Sequence, residues 1–383
     1  MKIIKYARIS EINIGDVFIS NSINYMHQKF FGNEIVNEDL LFESFDLDKR
    51  ITGAEGNKLF YKVKKRNKIE SFIILLLKII LFEILHKRKI KNQVKKSDVV
   101  FIGGGNLISE VNGSDLFYRI LRIAKIAKAN NKKLVIYAVG IGPFEFSYNF
   151  RLQQLINLSD TFCVRDAKSF DYCNNSKFKL NKKVKIVLDP AFIVSDIMPK
   201  MNIEKKYIGI NFMNFERIVK DSSYNKDELI ENLISINANY KLPFKIINSS
   251  FGEDLSLSIE YKEKLESLGI PCIIFNIKSM DDLPLAYSDL FFFIASRMHS
   301  SIFSMSYNIP TLIFSWHPKI EYLEDHLFGK YKCKIILDSE NFDSKEVIDK
   351  IDNYHKSISL ESVIDTEKEK IYKDYVEIIS GVL

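Results

Sequence analysis

A repeated alternation constrains this chain more than any other feature. Short apolar runs close on glycines or small polar residues, and stretches with apolar residues at helical spacing follow them. In the first half, 2–9 (KIIKYARI) reads as a strand and 13–31 (NIGDVFISNSINYMHQKFF) as a turn into a helix. Residues 98–105 (DVVFIGGG) form a buried strand ending in glycines, 115–131 a helix, and 133–143 (KLVIYAVGIGP) another strand-to-loop transition. Short strands follow at 161–166 (TFCVRD) and 184–192 (VKIVLDPAF). The stretch 194–206 breaks the pattern with a proline and charges and reads as a linker. A second set then runs through strands at 207–213, 243–250, 271–277, 289–296 and 310–316, with helical stretches at 226–240, 258–269, 279–288 and 300–308. Such alternation argues for parallel sheets covered on both faces.

The partition that follows is an N-terminal domain at 1–195, a C-terminal domain at 206–343 and a charged helical tail at 344–383. The expected fold is α/β, two Rossmann-like parallel-sheet domains facing a cleft. Open α/β sheets bind ligands beyond the carboxyl ends of their strands, and two such domains resemble the glycosyltransferase-B architecture. A length of 383 residues suits two domains. A net charge of +6 is too small to indicate nucleic acid, and no compact basic and aromatic stripe is present. It suits an anionic substrate or an anionic membrane face. Cys163, Cys173, Cys272 and Cys333 form no CxxC pair, which points to buried thiols in a reducing compartment. The first residues hold no continuous apolar run, so no signal peptide is expected.

Residues 71–96 (SFIILLLKIILFEILHKRKIKNQVKK) carry an apolar run interrupted by Lys78 and Glu83, short of the roughly 20 residues a spanning helix needs. Two readings stay open. One is a helix with a wide buried face. The other is an interfacial helix whose basic end, Lys87 to Lys96, meets anionic headgroups. The expected setting is the cytoplasm, with peripheral contact at the inner face of the cell membrane on the second reading.

Candidate chemistry sits where strands end. Glycine is scarce at 15 residues, yet Gly103, Gly104, Gly105, Gly140 and Gly142 gather behind two apolar strands. They make tight turns and allow a ligand to approach the backbone. No GxGxxG or GxxxxGK[ST] pattern supports a dinucleotide or P-loop site. In NIGD, Asn13 and Asp16 either cap the helix or hold hydroxyls of a sugar-like acceptor. Arg165 closes a strand, as an ion pair with Asp166 or another carboxylate, or as a grip on an anion. The strongest signal is 296–319 (SRMHSSIFSMSYNIPTLIFSWHPK). Arg297 and His299 stand two apart in a nearly extended turn, and Ser300 and Ser301 open a helix whose N-terminal amides favour an anion. Lys319 follows the next strand and returns to the same rim, with Trp316 and His317 beside it. The pair of aspartates in DLD (46–48) reads as solvated loop, and no histidine pair has metal-ligand spacing.

Taken in order, NIGD, DVVFIGGGNLIS, AVGIGP, VRDAKS, LDPAF and the 296–319 stretch resemble the polysaccharide pyruvyl transferase family. The resemblance covers residues from about 10 to 320. It implies transfer of the enolpyruvyl group of phosphoenolpyruvate to a sugar, or to a lipid-linked glycan, as a cyclic ketal. No cofactor or metal is implied; phosphoenolpyruvate is the co-substrate. This donor is a small trianion, so Arg165, Arg297, Lys319 and Ser300 are expected to bind it. Histidine titrates near working pH, which suits His299 to the acid/base role. Asn13, Asp16, Gly104, Gly105 and His317 are the expected acceptor contacts. The competing readings are a nucleotide-sugar glycosyltransferase of the same fold and a non-catalytic glycan-binding relative.

Overall fold

The structure is a computed structural model. It describes every residue except 10–13, 33–34, 41, 43–67, 111–113, 147, 175–177, 214–225, 250–253, 316–317, 330, 332, 339–341, 358 and 383; for 226, 318, 319, 355 and 357 it describes the backbone alone. Two contact-defined units result. One comprises Met1–Glu11, Ile19–Pro190 and Lys370–Leu383, the other Ile12–Phe18 and Ala191–Glu369.

In the first unit the apolar runs become β1 (Ile3–Ala7), β2 (Ile35–Asp39), β3 (Val99–Gly103), β4 (Ile108–Glu110), β5 (Lys133–Val139), β6 (Ile141–Phe144), β7 (Thr161–Val164) and β8 (Lys185–Ile186). Six of them form a sheet in the order β2-β1-β3-β5-β7-β8, every pairing parallel. β1, β3 and all but the first residue of β5 are buried, the mark of inner strands covered on both faces. The chain steps from β1 to β2, then returns past β1 to β3, so strand order reverses between β1 and β3. Helix Leu116–Ala129 supplies eight buried residues to the core. β4 and β6 pair separately as a two-stranded parallel ribbon, which the sequence pattern does not announce because each is so short.

Lys5 of β1 is fully buried. Its Nζ donates to Ser20 O at 2.5 Å and to Asn24 Oδ1 at 2.7 Å, pinning helix Ile14–Phe31 to the strand. Burial holds its pKa well below the ordinary lysine value.

The second unit holds β9 (Tyr207–Ile210), β10 (Phe244–Asn248), β11 (Cys272–Asn276), β12 (Leu290–Ala295), β13 (Thr311–Phe314) and β14 (Ile336–Leu337). Their order is β11-β10-β9-β12-β13-β14, again all parallel, with reversal between β9 and β12. Ile208, Ile210, Ile246, Phe292, Ile294 and Leu312 form its apolar centre.

These units differ from the sequence partition in three places, the first being residues 191–195, expected in the N-terminal domain and grouped with the second unit. Residues 12–18, expected in the N-terminal domain, group with the second unit. The tail expected at 344–383 is divided: Ser344–Ser357 and the start of helix Leu360–Ser380 belong to the second unit, and Lys370 onward to the first. The reason is apolar burial. Tyr375 is 0% exposed, its hydroxyl lies 3.1 Å from His27 Nδ1, and its ring meets Tyr137 edge-on at 5.4 Å. Residues 194–206 begin as a short helix, Val194–Ile197, before running irregularly to β9.

Tyr375 therefore acts as a core residue of the first unit. Tyr375→Ala is expected to cost about 3–5 kcal/mol in urea unfolding. Tyr375→Phe, which removes only the hydroxyl, is expected to cost about 1 kcal/mol. Two unchanged midpoints would mark the helix as an appendage.

Candidate functional site

Strand order reverses between β9 and β12, and open α/β sheets bind ligands beyond the carboxyl ends of their strands at such a switch point. Asn211, the residue after β9, is fully buried there. Its Oδ1 accepts from Arg297 N at 3.0 Å and from Ser296 Oγ at 3.1 Å, and its Nδ2 donates to Ile247 O at 3.0 Å. One amide thus ties the ends of β9, β10 and β12 together.

Helix Met298–Ser306 starts at this point, with Arg297 as its extended N-cap. This corrects the sequence reading, which placed Arg297 and His299 in an extended turn and began the helix at Ser300. His299 stands in the first helical turn, where backbone N–H groups lack intrahelical acceptors and favour negative charge. Its ring stacks near Phe303, with centroids 6.4 Å apart. Ser300 is buried and its hydroxyl lies 2.8 Å from that of Ser249, which follows β10. Arg297 is clamped from one edge: Nε donates to Asp254 Oδ2 at 2.5 Å and Nη2 to Oδ1 at 2.8 Å. Asp254 is 1% exposed. A bidentate pair of this kind fixes the guanidinium plane.

The NIGD segment lies against this turn. A Cβ on Gly15 would stand 2.0 Å from His299 Nδ1, so only glycine leaves the imidazole its place. Ile14 N donates to Ser249 O at 3.4 Å, and Phe18 meets Phe303 edge-on at 5.3 Å. Asp16 is buried in the first turn of helix Ile14–Phe31, where the helix dipole suits a carboxylate. β13 adjoins β12 in parallel, so helix Pro318–Phe328 and the backbone of Lys319 follow the same rim of the sheet.

The first unit gathers the remaining motifs among themselves. Gly140 N donates to Gly105 O at 2.9 Å, Ile108 N to Gly140 O at 3.2 Å, and Asn106 Nδ2 to Gly142 O at 3.0 Å. Gly104 has φ +82, and a Cβ there would lie 2.7 Å from Ile19 Cγ2, so its glycine serves the approach of helix Ile14–Phe31. Gly105 also has positive φ. Arg165 Nη1 donates to Asp189 Oδ2 at 3.0 Å, with both side chains buried. Asp166, the neighbour weighed as its partner, instead caps helix Ala167–Cys173 by accepting from Ser169 N at 2.7 Å. The aspartate of LDPAF thus answers the arginine of VRDAKS.

Arg297, His299, Ser300, Asp16 and the backbone of Lys319 fall in the second unit, and Arg165, Gly104 and Gly105 in the first. Asn13, Trp316, His317 and residues 46–48 lie outside the described residues, as does the side chain of Lys319. Asn211, Asp254, Ser249, Gly15 and Asp189 escaped the sequence reading. Gly15 and Asp189 lay inside the NIGD and LDPAF motifs without being singled out, and Asn211 left a local signal as a polar residue directly behind the buried run YIGI. Among the described residues no group of three or more His, Cys, Asp or Glu is placed to hold a metal ion.

The profile of the family described as polysaccharide pyruvyl transferase matches residues 13–318. No curated protein matches the chain significantly. Among solved structures, Anabaena HepE in complex with UDP and glucose is similar at 10% identity, covering 100% of both chains, with a TM-score of 0.56. UDP-GlcNAc 2-epimerase from Neisseria meningitidis bound to UDP-GlcNAc is similar at 10% identity, covering 100% of both chains, with a TM-score of 0.54. Arabidopsis thaliana UGT89C1 complexed with UDP-L-rhamnose is similar at 8% identity, covering 100% of this chain and 98% of the other, with a TM-score of 0.53. At such identities the likeness establishes the fold, two parallel-sheet α/β units of the glycosyltransferase-B kind.

Two substitutions test the bonding at these strand ends by urea unfolding. Asn211→Leu removes the side-chain partner of Arg297 N and of Ile247 O, while Ser296 Oγ keeps the backbone O of residue 211 at 2.7 Å, and is expected to cost about 1–3 kcal/mol for each group left without a partner. Asp254→Ala leaves Arg297 without its carboxylate and is expected to fall at the lower end of about 3–5 kcal/mol, since the arginine keeps some contact with water. Unchanged midpoints in both variants would contradict the bonding described.

Proposed function

The chain belongs to the polysaccharide pyruvyl transferase family, and from that membership we propose that it moves the enolpyruvyl group of phosphoenolpyruvate onto a sugar of a cell-surface glycan or its precursor. The product is a pyruvate ketal and the leaving group is inorganic phosphate. The observation that carries this reading is the placement of His299: an imidazole in the first turn of helix Met298–Ser306, beside the Arg297 N-cap, at the reversal of a parallel sheet. That constellation suits a small anion that must be protonated.

The reaction needs a proton on the methylene carbon of phosphoenolpyruvate, which becomes the methyl group and leaves C2 as an oxocarbenium-like electrophile. A sugar hydroxyl adds to C2 and loses its proton. The C2–O bond to phosphate then breaks, phosphate departs with the bonding pair, and a second hydroxyl adds and loses its proton to close the ring. His299 supplies and recovers protons. Arg297, oriented by Asp254, binds the anion together with the amides of the helix start, with Lys319 from the neighbouring strand end and with Ser300 completing the lining. Arg165 is assigned to the same trianion, with Asp189 as its orienting partner. Asn13, Asp16, Gly104, Gly105 and His317 are the proposed acceptor contacts, and no cofactor enters the reaction as written. The nucleotide-sugar alternative draws only on the shared fold, which does not discriminate between donors.

His299→Gln is expected to lower turnover by about 10²–10⁴-fold, while phosphoenolpyruvate binding by calorimetry stays within a few-fold. Near-normal turnover would remove His299 from the chemistry. Gly15→Ala, which touches no substrate in this account, is expected to displace the imidazole and cost roughly 10²-fold in turnover. An active Gly15→Ala enzyme would mean that the imidazole position is not critical.

A further inference from the structure

Helix Lys68–Lys95 buries one side and exposes another. Ser71, Leu75, Phe82, Ile90 and Val94 are buried, and Glu83 faces inward to Tyr118 and Arg122 of helix Leu116–Ala129. The outer face is apolar over its first half. Ile73, Leu77, Ile80 and Ile84 are 52%, 56%, 54% and 72% exposed. At about 100° per residue, the same face continues through Lys87, Lys91 and Lys95, with Arg88 beside them, all exposed. Nearly half of the exposed large apolar side chains of the described chain lie on this one helix.

Charge is concentrated there too. The helix carries seven basic and two acidic residues, an excess of five against +6 for the whole chain. Lys87 and Lys89 have acidic neighbours, Glu83 at 3.6 Å and Glu38 at 3.0 Å, and both lysines stay more than half exposed. Among the described residues no helix is long and apolar enough to cross a membrane. A face that is apolar and then basic along one line, on a helix too polar to span, fits the boundary between acyl chains and anionic headgroups. A second copy fits less well. Parallel pairing would set the two basic halves against each other, and antiparallel pairing would set each basic half on an apolar one.

The geometry points to helix Lys68–Lys95 as a docking surface for an anionic bilayer, its apolar first half inserted at the boundary and its basic second half on the headgroups. On the function proposed above, this sets the transfer beside a lipid-linked acceptor; the docking itself does not depend on that function.

The test is flotation of the full chain with phosphatidylcholine vesicles, with and without phosphatidylglycerol, at low and high salt. The chain is expected to float with the anionic vesicles, weakly with the neutral ones, and less as salt rises. Each basic residue near the surface contributes roughly fivefold in affinity. Joint replacement of Lys87, Arg88, Lys91 and Lys95 by Gln should therefore weaken binding by at least about a hundredfold. Joint replacement of Ile73, Leu77, Ile80 and Ile84 by Asn should abolish binding. Both sets lie on an exposed face, so the unfolding midpoint should hold and separates loss of docking from loss of fold. Absence of binding to anionic vesicles, or binding that survives both sets, would overturn the proposal. So would a dimer in solution that the Asn set disperses while vesicles capture nothing, since the face would then serve self-association.

Discussion

The site rests on the side chain of Asn211. Three parallel strands end close together at a reversal of strand order, where buried backbone groups beyond the ladder need partners. Asn211 satisfies three partners at once from a fully buried position, Arg297 N, Ser296 Oγ and Ile247 O. With those ends fixed, helix Met298–Ser306 starts where it does, His299 falls in its first turn, and Ser300 reaches Ser249.

The second constraint is steric. Gly15 and His299 are 284 positions apart in the chain, yet the imidazole occupies the space a side chain at 15 would take. The segment holding Gly15 groups with the second unit although the helix it begins runs on into the first. The first and last motifs of the family pattern are therefore one physical object. Charge follows a similar economy. Arg297 and Arg165 each have a buried carboxylate partner, Asp254 and Asp189. Those pairs cost desolvation and return orientation.

The legible part of the fold was its periodicity. Buried runs such as DVVFIGGG and DLFFFIAS announced β3 and β12, because strands covered on both faces need apolar side chains in both directions. Arg165, Arg297 and His299 stood out in the sequence as candidates because they closely follow such runs. What the sequence could not carry was pairing through space. Asp254 lies 43 residues before Arg297 and reads only as one more acid before a helix. Tyr375 reads as part of a charged tail, since its burial depends on Tyr137 and His27, far away in the chain. The outward apolar face of helix Lys68–Lys95 left two readings open in the sequence. Periodicity identifies two faces, and only exposure tells which one meets the core.

The central claim is that phosphoenolpyruvate, and not a nucleotide sugar, is the donor. The most direct measurement supplies both donors with a panel of sugar and lipid-linked acceptors and follows inorganic phosphate, nucleoside diphosphate and the mass of the product together. The account predicts phosphate released in step with a ketal-bearing acceptor, and no nucleoside diphosphate. Nucleoside diphosphate release with a glycosylated product, and no phosphate from phosphoenolpyruvate, would contradict it.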